Sequence, residues 1–288
     1  MDTIAYSNLL QELRGFDDWL RSLGATPHSE DRIHKAFRVL DLADKASRRG
    51  KETGIYAEIR PEHWFPLIEA LEASKIFRAF KNDPSPALGS ALKRALSGPT
   101  LPTDEGPKNS DGRNVWYELA LAAEWRLRGA MVSIGEPDFQ LVRSNVTFLV
   151  ACKRPAKQES IRANIRDAIA QLEENLDKAP VGTYGVAAIS LTRIFNRGDK
   201  VFTGGLSDLG ALVEKEIEKH VRQLRSVDDP RICCAMFEAA TPSNFDRGVD
   251  LSRASFTAAQ ELKPSEGSRI LRDHIEEMRK HADKALVI

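Results

Sequence analysis

The stretch Thr147–Pro155, "TFLVACKRP", contains the residues that decide the fold. Apolar and β-branched residues run directly into two cations, Lys153 and Arg154, and a proline then stops the chain. A short apolar run that ends in this way is typical of a strand buried on both faces. We therefore predict a central strand whose last residues place positive charge at the edge of the core.

The composition narrows the class of protein. The chain has 288 residues, of which 42% are hydrophobic, enough for one large domain or two modest ones. Basic and acidic residues both number 42, so any nucleic-acid site must be a local basic patch. No stretch approaches the ~20 apolar residues of a membrane span, and the first residues show no secretory signal. We expect a cytoplasmic protein without membrane association.

Two domains joined by a linker are predicted. Residues 1–96 have apolar positions at helical spacings of three and four and should form an all-helical domain. Residues 97–112, "SGPTLPTDEGPKNSDG", are rich in proline and glycine and almost lack apolar side chains, which is typical of a linker. Residues 113–288 should form the second domain, to which the opening stretch belongs.

The second domain alternates between helical and strand patterns. Because its apolar strands need cover on both faces, we predict an α/β fold with a mixed sheet flanked by helices. The predicted elements are a helix over Asn114–Arg128, strands at "AMVSI", "DFQLVRS" and "TFLVACK", a helix over Gln158–Leu176, a strand at "TYGVAAISLT", a helix over Leu206–Leu224, a strand at "RICCAMFEA" and a last helix over Ser268–Leu286.

The ends of two of these strands should meet. Asp138 follows a proline at the start of the second strand, and Lys153 ends the third. A tight turn at Ser144 and Asn145 would make the two strands antiparallel neighbours. The carboxylate of Asp138 and the ammonium of Lys153 would then lie at the same end of the sheet.

A second carboxylate is expected at this place. Glu118, on the preceding helix, has the apolar neighbours Val115 and Ala122 at helical spacing, which places Glu118 on the inward face. An inward carboxylate needs a partner, and a bound cation is one of the few that suffice. Two carboxylates and a lysine are suited to magnesium-assisted hydrolysis of a phosphodiester.

These residues resemble the PD-(D/E)XK, or restriction-endonuclease-like, nuclease superfamily. Glu118 on a helix, Pro137 with Asp138, and Lys153 at the end of the next strand occur in that superfamily's order, and "CKRP" followed by a helix resembles one of its branches. The resemblance covers about residues 113–240. It implies a Mg²⁺- or Mn²⁺-dependent endonuclease acting on DNA, with Glu118 and Asp138 as metal ligands and Lys153 positioning the attacking water. It also implies a homodimer and, in bacteria, a role in defence against foreign DNA.

One position departs from the superfamily's pattern. Two residues before the lysine, an acidic residue is expected, and this chain has Ala151. Three explanations are open. The acid has migrated, with Glu136 or Glu118 as substitute and the backbone carbonyl of Cys152 still available to the metal; the alanine is a deliberate inactivating substitution; or the protein is a natural relative that binds nucleic acid without cleaving it.

Nucleic-acid contacts are predicted next to the lysine. Arg154, Arg162 and Arg166 lie on one flank and would hold the phosphate backbone, and Gln171 would hydrogen-bond the reacting phosphate or the aspartate. Taken singly, each candidate has a simpler interpretation: Glu118 as a partner of a surface cation such as Arg126, Asp138 as a turn residue, and the cations after strand three as guards against edge-to-edge aggregation. A scaffold without any nucleic-acid role is the third functional class.

Overall fold

The computed structural model describes residues 6–25, 32–49, 64–99, 101–106, 108–198, 202–203, 206–244 and 251–282. The helices are α1 (Tyr6–Ser22), α2 (Arg32–Arg48), α3 (Trp64–Phe80), α4 (Pro86–Ala95), α5 (Asp111–Leu127), α6 (Ile161–Leu176), α7 (Thr192–Phe195), α8 (Leu206–Arg225) and α9 (Glu266–Ala282), with short 3-10 helices at Pro102–Asp104 and Gln158–Ser160. The strands are β1 (Met131–Ile134), β2 (Phe139–Arg143), β3 (Val146–Lys153), β4 (Thr183–Ser190), β5 (Phe202–Thr203), β6 (Ile232–Asn244) and β7 (Leu251–Glu261).

The strands of the described residues form one mixed sheet. Its order is β1-β2-β3-β4-β6-β5, and β7 also pairs with β6. The first three strands form an antiparallel meander, whereas β3, β4 and β6 run parallel to one another. The crossover from β3 to β4 is made by α6, as parallel neighbours require. The carboxyl ends of β3, β4 and β6 therefore lie at one rim of the sheet.

A two-residue turn fixes the register of the meander. Ser144 and Asn145 both have positive φ, 51° and 62°, which is the geometry of a type I′ hairpin. The turn pairs Arg143 with Val146, and the register continues to the pair Phe139 and Val150. The predicted hairpin is confirmed, and the start of β2 lies beside the end of β3.

Strand β3 separates two apolar layers. The side chains of Phe148, Val150 and Cys152 belong to the cluster formed with the N-terminal helices and α5. Leu149 and Ala151 belong to the opposite cluster, formed with α6 and α8. The predicted α/β class, with a mixed sheet between helices and with helices at the N-terminus, is confirmed.

The N-terminal helices pack directly onto the rest of the protein. One buried cluster runs from residues of α1 through α3 and α5 to the sheet. Arg113 of α5 and Glu69 of α3 form an ion pair at 2.7 Å, with side chains only 6% and 4% exposed. Residues 101–106 of the expected linker include a turn of 3-10 helix and a buried glutamate, Glu105. Part of this connecting segment is thus embedded in the structure.

Several elements differ from the sequence predictions: the short α7 and β5 were not predicted, and α5 begins at Asp111, three residues before its predicted start. Strand β7 was not predicted; its eleven residues pair with β6 over the whole length from Leu251 to Glu261. Helix α9 begins at Glu266, two residues earlier than predicted, and its predicted end at Leu286 lies outside the described residues. Among the described helices, none combines the length and apolar character that a membrane span requires.

Candidate active site at the carboxyl end of strand β3

The site begins with a contact between Asp138 and strand β3. Asp138 directly precedes β2, and the hairpin register carries it to the last residues of β3. Its Oδ2 accepts a hydrogen bond from the Cys152 backbone N–H at 2.5 Å. One carboxylate oxygen is therefore held by the backbone, one residue before Lys153.

Lys153 is held by a bridging glutamine. Its Nζ donates to Oε1 of Gln171 at 2.6 Å, and Nε2 of Gln171 donates to the Pro137 carbonyl oxygen at 2.9 Å. Gln171 lies on α6, which packs against β3 and β4. The Gln171 amide thus connects the end of β3 to Pro137, the residue before Asp138, through two hydrogen bonds. The sequence indicated Gln171 as a candidate for contact with the phosphate or the aspartate. In the structure its amide contacts the lysine and the proline backbone, and the Gln171 side chain also stabilises the charged form of Asp138.

Glu118 lies on α5, the helix that packs against β1, β2 and β3. It is half-buried, and the Val115 and Ala122 side chains beside it are buried, as expected for the inward face. Its charge is coupled to those of Asp138 and Lys153. Within the part of the chain that the structure describes, the Glu118 carboxylate makes no hydrogen bond or ion pair. Arg126, the surface partner considered above, pairs instead with Asp83 at 2.5 Å.

Both carboxyl groups titrate at unusually high pH. Burial, reinforced by the charge of Asp138, raises the pKa of Glu118 to about 8. Burial also raises the pKa of Asp138 to about 6, although the Cys152 N–H and Lys153 stabilise its charged form. Two carboxyl groups that are costly to ionise without a counterion favour binding of a cation.

The donor set fits a hard divalent cation. Glu118 and Asp138 supply carboxylate oxygens, and Mg²⁺ or Mn²⁺ prefers oxygen ligands and retains several waters. Among the described residues, no three His, Cys, Asp or Glu side chains form a metal-binding group by themselves. Ala151, at the position of the missing acid, is fully buried in the apolar layer under α6. Glu136, the other substitute considered, is exposed beside Pro137.

Arg154 is engaged in an ion pair. Its guanidinium binds the carboxylate of Glu105 through two nitrogens, one at 2.9 Å, and its side chain is 9% exposed. Arg193 joins the pair, with a nitrogen 3.5 Å from the carboxylate and a hydrogen bond of 2.6 Å to the Glu105 carbonyl oxygen. In the structure the Arg154 guanidinium is thus paired with a buried carboxylate that it shares with Arg193.

Two other predicted cations face solvent. Arg162 and Arg166 are exposed on α6. Their guanidinium groups make no ion pair within the described residues. They lie one helical turn apart on the helix that carries Gln171, which leaves them available to a polyanion.

Two polar groups of α5 near Glu118 were not indicated by the sequence. The Tyr117 hydroxyl and the Asn114 amide oxygen are buried and have no hydrogen-bond partner among the described residues. Asn114 precedes Tyr117 by three residues and Glu118 by four, so it lies on the same side of the helix as each of these two adjacent residues. That spacing was the available signal, but a tyrosine in an amphipathic helix is usually a core residue.

Comparisons of the chain with protein-family models, with curated proteins and with solved structures gave no match.

Proposed function

We propose that the chain is a metal-dependent nuclease of the PD-(D/E)XK type that hydrolyses DNA phosphodiester bonds. The observation that carries this proposal is the hydrogen-bonded arrangement of Asp138, Lys153 and Gln171 at the carboxyl end of β3. The electrostatic interaction of Glu118 with Asp138 and Lys153 supports it. The strand order supports the proposal, since a helix, an antiparallel three-strand meander, a crossover helix and a parallel fourth strand make up the core that the resemblance implies.

Each group has a distinct task in this proposal. Glu118 and Asp138, with the backbone carbonyl of Cys152, would hold Mg²⁺ or Mn²⁺. The bound cation would polarise the phosphate and lower the pKa of a water. Lys153 orients the attacking water and offsets the negative charge that develops on the phosphate in the transition state. Exposed Arg162 and Arg166 would contact the DNA backbone on the α6 side.

A cleavage assay on the full-length chain tests the proposal. Supercoiled plasmid and single-stranded DNA are incubated with Mg²⁺, with Mn²⁺ and with a chelator. We expect cleavage with either metal, none with the chelator, and loss of cleavage in Lys153→Ala. Cleavage that survives in Lys153→Ala would contradict the assignment. Sedimentation of the chain with and without DNA tests the homodimer that cutting of both strands implies, and phage plating efficiency tests a role in bacterial defence.

A non-catalytic nucleic-acid-binding or assembly protein is the second candidate function. It is favoured by the buried position of Ala151, since no acid is present where the superfamily's pattern has one. Salt-dependent DNA binding without cleavage, unchanged in Ala151→Glu, would support this candidate. Circular dichroism must accompany that variant, because the new carboxylate enters an apolar layer. A chain with no salt-dependent DNA affinity would belong to the scaffold class.

A further inference from the structure

The Tyr117 hydroxyl is an unexplained polar group at the candidate site. Part of the residue remains accessible, yet the hydroxyl oxygen is buried and has no hydrogen-bond partner among the described residues. Buried polar groups in folded proteins nearly always have a partner, because desolvation without one is unfavourable. An unpaired hydroxyl at this place indicates that a bound species supplies the missing hydrogen bond.

The charges around the hydroxyl restrict what that species is. Tyr117 adjoins Glu118 in sequence, and its hydroxyl is coupled electrostatically to Glu238 of β6, to Glu118 and to Asp138. Lys153 and Arg94 are the cations that interact with the site carboxylates, and Arg94 is already paired with Asp111 at 3.0 Å, so acidic groups predominate. A free anion would be repelled here, whereas a cation with its water shell would be attracted.

A second buried oxygen points the same way. The Asn114 amide oxygen, on the same face of α5 and one turn before Glu118, also lacks a partner among the described residues. Carbonyl and phenolic oxygens accept hydrogen bonds from water. Because Mg²⁺ keeps several of its waters when few side chains ligate it, oxygens of this kind are suited to its outer shell.

We propose that Tyr117 is a positioning residue whose hydroxyl binds a water molecule of a hydrated divalent cation held by Glu118 and Asp138. This inference rests on the proposed metal site and adds to it a contact through water. It assigns polar groups of α5 to contacts with the water shell of the cation.

Calorimetric titration of the metal-free chain with Mn²⁺ tests the inference. We expect Tyr117→Phe to weaken Mn²⁺ binding by about threefold to tenfold, the effect of one lost hydrogen bond. The thermal midpoint of the metal-free variant should equal or exceed that of the wild type, because an unpaired buried hydroxyl has been removed. Tyr184→Phe is the matched control, because Tyr184 pairs with Phe148, five residues before Lys153 on β3. It should bind Mn²⁺ with wild-type affinity.

The outcomes separate this inference from the proposed function. If the wild type binds no Mn²⁺, the metal site itself is wrong and the role of Tyr117 falls with it. If the wild type binds Mn²⁺ and Tyr117→Phe binds it equally well, only the role of the hydroxyl is overturned. A lower thermal midpoint of metal-free Tyr117→Phe would show that the hydroxyl already has a structural partner, which also overturns it.

Discussion

Lys153 and Gln171 are joined by a hydrogen bond of 2.6 Å between the ammonium and the amide oxygen. The same amide donates to the carbonyl of Pro137, so one side chain sets the distance between the end of β3 and the start of β2. A flexible four-carbon side chain is thereby restricted to one direction before any substrate binds. In the proposed reaction, this restriction of Lys153 would lower the entropy lost in the transition state.

We expect Gln171→Ala to reduce the rate of DNA cleavage by about tenfold, because Lys153 loses the group that orients it. The rate constant is measured under single-turnover conditions. Asn175→Ala is the matched control: its amide, one helical turn later, bonds only the backbone oxygen of Gln171. An equal loss of rate in both variants would indicate a general weakening of α6 and not a role in positioning.

Glu118→Gln should change the pH dependence of stability. The pKa of Glu118 is raised from 4.5 to about 8, so the folded protein resists ionisation and loses stability as pH rises through this window. Glu118→Gln lacks this loss. The amount by which its free energy of unfolding exceeds that of the wild type should be zero below pH 4.5, increase as the pH rises, and become constant above about pH 8. After allowance for partial exposure we expect about 1–2 kcal/mol at pH 8, measured by urea unfolding without metal.

The exposed pair of Glu174 and Lys178 provides a comparison for that experiment. Both side chains are more than two-thirds exposed, so Glu174→Gln should show no pH-dependent difference of this kind. If the free energies of unfolding of the wild type and Glu118→Gln differed by a constant amount from pH 4.5 to about 8, this would contradict a buried carboxylate without a partner.

Binding of the cation should release protons. At pH 7 the Glu118 carboxyl, with a pKa of about 8, is mostly protonated, whereas Asp138, with a pKa of about 6, is mostly ionised. Since a ligating carboxylate must be ionised, we expect about one proton released per Mn²⁺ at pH 7 and much less at pH 9. Titrations in buffers of different ionisation enthalpy measure this number. A binding enthalpy independent of the buffer at pH 7 would contradict a ligand role for Glu118.

Glu105→Gln should lower stability substantially. The carboxylate is fully buried and neutralises Arg154 and Arg193, whose side chains are 9% and 13% exposed. Removing one partner of a buried ion pair leaves uncompensated charge, and about 3 kcal/mol of unfolding free energy should be lost. Denaturant unfolding measures the loss. A variant as stable as the wild type would show that the two guanidinium groups reach solvent without Glu105.

Local signals were sufficient to predict strands β1 to β4, strand β6 and the hairpin between β2 and β3. The apolar run before Lys153, the turn at Ser144 and Asn145 and the inward face of α5 are each encoded within a few neighbouring residues. Because the hairpin register follows from the turn, the approach of Asp138 to the end of β3 could be predicted without tertiary information.

Other features depend on contacts between distant parts of the chain. Strand β7 contains many small and polar residues, so its own sequence pattern does not predict a strand. Its pairing with β6 accounts for the extended conformation. The role of Arg154 depends on Glu105, 49 residues earlier, and the contact of Gln171 with Pro137 spans 34 residues. Sequence spacing does not predict contacts between such distant residues. Arg154 therefore could not be distinguished from Arg162 and Arg166 as a candidate DNA contact.

Buried ion pairs join Glu69 and Glu105 to arginines of the predicted second domain, which affects where the chain could be cut into fragments. A fragment that starts at residue 113 would discard Glu105 and Glu69, leaving Arg154, Arg193 and Arg113 without their buried counterions. It would also strip the apolar cover from one side of α5, the helix that carries Glu118. The helices before residue 97 therefore supply buried counterions and apolar packing to the part of the chain that carries the candidate site.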